Sequence, residues 1–149
     1  MSGAVAIERR PPARRSEFGY FIDITTRWMD NDVYGHVNNV VYYAYIDTVI
    51  NRYLIDVGGL EIHTAPVIGI TPETSCRFHR AFAYPDKIEG GLRVVRLGAK
   101  SATYEVGLFG PGETDARADG LFTHVFVARA THRPVAIPET LRAALARLA

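Results

Sequence analysis

The chain has 149 residues, 48% of them hydrophobic and 22% charged, with a formal net charge of +1. That length and balance favour one globular domain and exclude a disordered chain, and near-neutrality supplies no electrostatic footprint for nucleic acid or an anionic membrane. The one cysteine, Cys76, excludes an internal disulfide and any multi-cysteine metal centre.

Residues 1–17, with Pro11-Pro12 and the arginines Arg9, Arg10, Arg14 and Arg15, read as a flexible tail rather than a nucleic-acid-binding arm. Residues 18–149 read as a single domain. The start of the chain lacks the basic and long apolar regions of a secretory signal. The longest apolar run, Val40 to Ile46, falls far short of the ~20 residues a membrane span needs. The expected location is the cytoplasm.

From Tyr20 to Trp28 the residues alternate, with Tyr20, Ile22, Ile24, Thr26 and Trp28 on one face, which predicts a strand. A polar, glycine-containing loop follows, from Met29 to His36. Val41, Tyr42, Tyr45, Ile46, Val49, Ile50, Tyr53 and Leu54 then recur at helical spacing. Asn38 or Asn39 can cap that helix and Gly58-Gly59 can end it. Its stripe is rich in β-branched residues, so the helix depends on packing against something large, such as the concave face of a sheet.

The remainder reads as four strands and a short helix. Pro66 to Arg80 is strand-like, but Pro72 requires an edge or a bulge. Ile88 to Leu97 and Ser101 to Phe109 flank the short connection Gly98-Ala99-Lys100. Ala116 to Ala130 alternates, with Phe122, His124, Phe126 and Ala128 on one face. Pro138 suits a helix start, and Leu141, Leu145 and Leu148 form the stripe of a closing helix. This order predicts an α+β domain, with an antiparallel sheet of about five strands around a long central helix.

The densest cluster of reactive side chains is Asp30 to Asn39, between the first strand and the central helix. The first turn of a helix presents unpaired N–H groups and a partial positive charge. A developing oxyanion is stabilised there, and a carboxylate just upstream can act as base or nucleophile on the same carbonyl. The alternative is that Asp30 and Asp32 only shape a turn and that His36 and Asn38 close it. No histidine pair has zinc-protease spacing, so no metal site is expected. Cys76 and His79, three apart on one strand, point to opposite faces and make a poor thiol–imidazole pair.

The segment Arg27-Trp28-Met29-Asp30-Asn31-Asp32-Val33-Tyr34-Gly35-His36-Val37-Asn38-Asn39-Val40-Val41-Tyr42 resembles the R-W-x-D-x-D-x-x-G-H-V-N-N-x-x-Y segment of hotdog-fold acyl-CoA thioesterases. It is most similar to the branch related to 4-hydroxybenzoyl-CoA thioesterase. The turn Ala83-Tyr84-Pro85-Asp86, the hairpin at Lys100-Ser101, the strand Phe122 to Val127 and the segment Arg133 to Glu139 extend the likeness over nearly the whole chain after the tail.

The resemblance implies a hotdog fold and hydrolysis of an aromatic or fatty acyl-CoA to the acid and CoA. It places the catalytic aspartate at Asp32, as base or nucleophile, and the carbonyl-polarising N–H near Asn39. Asn38 would orient the loop or the attacking water. His36 matches the histidine of the related plant acyl-carrier-protein thioesterases, whereas Tyr34 stands where those carry an asparagine. Tyr34, Tyr42, Glu73, Ser75, Lys100 and Ser101 are the expected substrate-binding residues, with Tyr45 and Phe78 as further lining. Asp47 sits where many relatives carry a glutamate, and Asp30→Asn is expected to be milder than Asp32→Asn. No cofactor is implied, since CoA enters with the substrate. Exposed strand edges and the resemblance together point to a homodimer or homotetramer with the site at the interface. Two rival readings are a non-catalytic module that senses acyl-CoA and a hotdog dehydratase or hydratase.

Overall fold

The computed structural model describes residues 10–149. Strand β1 (Tyr20–Thr25) leads through a loop into helix α1 (Asn39–Asp56). Strands β2 (Val67–Phe78), β3 (Lys87–Leu97), β4 (Ser101–Phe109) and β5 (Ala118–Ala128) follow, and helix α2 (Glu139–Ala146) closes the chain. The strands form one antiparallel sheet in the order β1-β3-β4-β5-β2. The α+β expectation holds. β1 stops at Thr25 instead of running to Trp28, because the Asp30 carboxylate captures the Arg27 N–H and folds Trp28–Asp30 into a turn of 3-10 helix.

Strand β2 crosses to the far edge, beside β5. Pro72 explains both features it shows there. It has no N–H to give a second neighbour, and the register with β5 shifts between Ile70 and Glu73.

Helix α1 buries Tyr42, Tyr45, Ile46, Val49, Ile50, Tyr53 and Leu54, which is the predicted stripe apart from the half-buried Val41. Each buried Val or Ile contributes roughly 1.5–3 kcal/mol, several times the ~0.5 kcal/mol that such a residue costs in helix propensity. Two glycines let the helix settle on the sheet. A Cβ on Gly90 would lie 2.5 Å from Val49 Cγ2, and one on Gly120 would lie 2.7 Å from Ile46 Cδ1.

The register defines two ends of the sheet. Thr25, Lys87, Phe109, Ala118 and Phe78 lie at the first, and Tyr20, Leu97, Ser101, Ala128 and Val67 at the second. The loop before α1 is bonded to the segment joining β2 and β3, at Phe82 and Tyr84, so α1 starts at the first end.

The predicted tail is corrected in part. Residues 1–9 lie outside the described residues, but residues 10–17 pack on the sheet face opposite α1. Ala13 is buried there, its N–H donating to Asp119 Oδ2 at 2.9 Å and its carbonyl accepting from Ala116. Residues Arg15–Glu17 form a turn of 3-10 helix. The reason is twofold. Gly91 and Gly107 leave room on that face for the Phe18 ring, and the buried Asp119 carboxylate needs the donors this segment supplies.

His124 faces α1 at 4% exposure, its Nδ1 3.2 Å from the Tyr104 hydroxyl. Burial pushes its pKa down to about 4, whereas an unfolded chain's imidazole titrates near about 6.5. Between those values the unfolded chain binds a proton that the native fold does not. Stability present above about pH 6.5 is therefore lost progressively as the pH falls, at up to ~1.4 kcal/mol per pH unit. Urea melts between about pH 7.5 and pH 4.5 should show this slope, and His124→Gln should flatten it; an equal slope in the variant would assign the acid loss elsewhere.

Candidate active site

The loop from Asn31 to Asn38 is a tight turn held by internal hydrogen bonds. Asn31 pairs with Val37 across it, the Asp32 N–H donates to the His36 carbonyl at 2.9 Å, and the Gly35 N–H donates to the Asp32 carbonyl at 3.1 Å. Gly35 sits at φ 85°, where a side chain would be strained. Outer contacts fix the loop to the segment between β2 and β3. The Val37 N–H donates to the Phe82 carbonyl at 2.8 Å, and Asn31 Oδ1 accepts from the Tyr84 N–H at 2.9 Å.

Within this frame Asp32 is half-buried. Its Oδ1 accepts from the Tyr34 N–H at 2.9 Å, and no donor among the described residues takes Oδ2. Asn38 is the N-cap of α1, its Oδ1 accepting from the Val40 N–H at 3.1 Å. The Asn39 N–H, first in the helix, has no acceptor among the described residues. Asn39 also lines a depression of about 270 Å³, together with Val37, Tyr42, Phe78, His79, Arg80 and Ala81. A free carboxylate oxygen and a free helix N-terminal donor thus share one loop-to-helix junction. That pair can deprotonate a nucleophile, or itself attack, and can stabilise an oxyanion.

Asp30 differs sharply from Asp32. It is 1% exposed, and its carboxylate accepts from the Tyr45 hydroxyl at 2.6 Å, the Arg27 N–H at 2.9 Å and Arg27 Nε at 3.0 Å. Burial raises its pKa, but the bonds from Tyr45 and Arg27 outweigh that and hold it below the ordinary carboxylate value. Asp30 is therefore an ionised structural anchor, and replacing it acts on a buried hydrogen-bonded cluster where replacing Asp32 acts on a half-buried carboxylate with a free oxygen. The i, i+3 spacing of Arg27 and Asp30 is a local signal for part of this. Tyr45, 15 residues along the chain, gives none.

The structure sorts the other expected residues. Tyr42 forms the buried wall of the depression, its hydroxyl accepting from the Phe82 N–H at 3.0 Å and its ring 5.0 Å from that of Phe78. Tyr34 and His36 are exposed on the loop. Glu73 and Ser75 are exposed on the edge strand β2. Lys100 and Ser101 lie in the hairpin at the second end of the sheet, so one chain does not bring them to Asp32. Asp47 is exposed on α1 and accepts from Asn51 Nδ2 at 2.8 Å. Burial pushes the Cys76 thiol up to about 12, and the His79 ring turns away to Asp119, 2.9 Å from Nε2 to Oδ2. No thiol–imidazole pair forms.

Comparison with known proteins places the chain among relatives. The model of the thioesterase-like superfamily matches residues 26–145. The chain is similar to the PA5185 protein of Pseudomonas aeruginosa, with 53% identity and a TM-score of 0.91 over 93% of this chain and 96% of that one. It is also similar to PA2801 of the same organism, provisionally named a thioesterase, with 26% identity and a TM-score of 0.76 over 84% and 96% of the two chains. The backbone of BH1999, a gentisyl-coenzyme A thioesterase, superposes with a TM-score of 0.75 at 20% identity, over 85% of this chain and 99% of that one. No curated protein matches.

The cap makes a direct prediction. Asn38→Ala leaves one more N–H unpaired at the start of α1 and should cost ~1 kcal/mol, read as an earlier thermal melt. Asn38→Asp, which keeps the acceptor, should melt near wild type.

Proposed function

The chain belongs to the thioesterase-like superfamily, and from that premise we propose that it hydrolyses an acyl-CoA to the carboxylic acid and free CoA. The observation that carries this reading is the unoccupied Asp32 Oδ2 at the same junction as the acceptor-less Asn39 N–H. The thioester carbonyl sits against the Asn39 N–H, where the helix N-terminus stabilises the negative charge that develops on its oxygen. Asp32 either takes a proton from the attacking water or attacks the carbonyl carbon itself to give a mixed anhydride, which water then opens. In both routes CoA leaves as its thiol and the acyl group leaves as the acid. Asn38 fixes the first turn of the helix, and Tyr42 and Phe78 give the acyl group an apolar wall. The acyl group is aromatic or fatty.

The expected binding residues Glu73, Ser75, Lys100 and Ser101 are reconciled with this site by a dimer. β2 is an edge strand, exposed from Ile70 to Ser75. Antiparallel pairing of two such edges about a two-fold axis sets one subunit's first end beside the other's second end. The partner subunit's Lys100 and Ser101 then approach Asp32, and Glu73 and Ser75 lie at the seam. Two dimers joining would give the tetramer.

Release of CoA from a panel of benzoyl-, phenylacetyl- and fatty-acyl-CoAs, followed with a thiol-reactive dye, tests the activity; saturable binding without release would replace the enzyme by a sensor. Asp32→Asn should lower turnover by roughly 10²- to 10⁴-fold, with little change in apparent affinity for the CoA ester. Label found in the Asp32 carboxylate after a single turnover in ¹⁸O-labelled water identifies the nucleophilic route, with water opening the anhydride at the Asp32 carboxyl carbon. Normal turnover in Asp32→Asn would overturn the assignment.

A further inference from the structure

Asp30 bonds to three separate parts of the chain. Its carboxylate holds the Arg27 N–H and Nε at the exit of β1 and the Tyr45 hydroxyl in the second turn of α1. Its backbone carbonyl accepts the Asn38 N–H at 2.9 Å, at the far end of the loop. Arg27 Nη2 completes the cluster, 3.0 Å from Oδ1. One buried residue thus clamps both ends of the segment that carries Asp32 and ties them to the helix whose first N–H faces the carbonyl. Asp32 itself has only backbone and turn contacts within the loop, so its position relative to Asn39 depends on this clamp together with the bonds from Val37 and Asn31 to the segment between β2 and β3.

We propose that the Asp30–Tyr45–Arg27 cluster is a positioning device that holds the Asp32 carboxylate in register with the Asn39 N–H, acting through the loop and not on the substrate. The proposal rests on the thioester-hydrolase reading for its catalytic consequence and on the hydrogen bonds alone for its structural one. The oxyanion donor must hold the carbonyl oxygen while the carboxylate, or the water it activates, reaches the carbonyl carbon. A misplacement of about 1 Å between such groups costs up to about 10²-fold in rate without touching the groups themselves. Tyr45 is the probe of choice, because Tyr45→Phe keeps the buried ring in the core and removes only the hydroxyl that Asp30 accepts.

The test uses the full chain with Tyr45→Phe and Asp30→Asn, each assayed well below its melting temperature. Two quantities are read: amide hydrogen exchange at Asn38 and Val37, and kcat and KM on the best substrate of the panel. In Tyr45→Phe, protection at Asn38 should fall about tenfold and kcat should fall about tenfold, with KM within about twofold of wild type. Asp30→Asn should show the same pattern more strongly. If it does not fold, Tyr45→Phe decides alone. Unchanged kcat per folded molecule in Tyr45→Phe, or unchanged exchange at Asn38, overturns the proposal. If the wild-type chain hydrolyses none of the thioesters, the functional reading fails, while the exchange measurement still decides whether the clamp holds the loop.

Discussion

The burial of α1 against one face of a five-stranded sheet is the constraint on which the other features depend. The helix carries Val, Ile and Tyr where a self-supporting helix would carry Ala or Leu, so its stability comes from contact with the sheet. Gly90 and Gly120 mark where that contact is too close for any side chain on the strand. Once the helix is seated, its N-terminus is fixed at the end of the sheet where β1 and β2 finish. The unpaired Asn39 N–H of its first turn then lies next to the loop that arrives from β1. The chemistry of the junction follows from the packing of the core.

Two buried carboxylates, Asp30 and Asp119, anchor opposite faces of the sheet in the same way. Each is held ionised against the cost of burial by an arginine and by backbone N–H groups. Asp119 accepts from Arg77 Nε at 2.7 Å, from His79 and from the Ala13 N–H, and so fixes the N-terminal segment. Leaving such a charge with a missing partner costs roughly 3–5 kcal/mol, which makes both sites rigid. Asp32, two residues from Asp30, has one occupied oxygen and one free. The contrast is what separates a carboxylate that supports a site from one available to react.

The sheet edge is the second organising feature. β2 exposes both faces from Ile70 to Ser75, and the bulge at Pro72 keeps it from being a regular edge. The hairpin with Lys100 lies at the opposite end of the same sheet from Asp32, with the nine-residue strand β4 running between the two ends. At about 3.3 Å per strand residue, no rotamer change spans the length of that strand. A site that draws on both regions is one that two subunits build.

Much of this was legible in the sequence. Period-2 and period-3.6 patterns located the five strands and both helices, because burial of one face imposes those periods on any chain. Pro72 announced an edge or a bulge through its missing N–H, and it marks both. The D-x-D-x-x-G-H-V-N-N string marked the loop, and the backbone likeness to PA5185 and to PA2801, the latter provisionally named a thioesterase, agrees with the fold it implied. What the sequence left open concerns partners distant along the chain. The i, i+3 spacing of Arg27 is the one local hint at Asp30, and which carboxylate is buried depends on Tyr45 and on where α1 lies. Nothing in Arg10 to Glu17 says that Asp119, about a hundred residues away, will hold this segment down. Nor does the hairpin at Lys100 disclose its end of the sheet, since β2 crosses to the far edge only in three dimensions. Local spacing determines which face of an element is apolar. Only the folded chain decides which charges meet, because a hydrogen bond requires proximity in space and the sequence records proximity only along the chain.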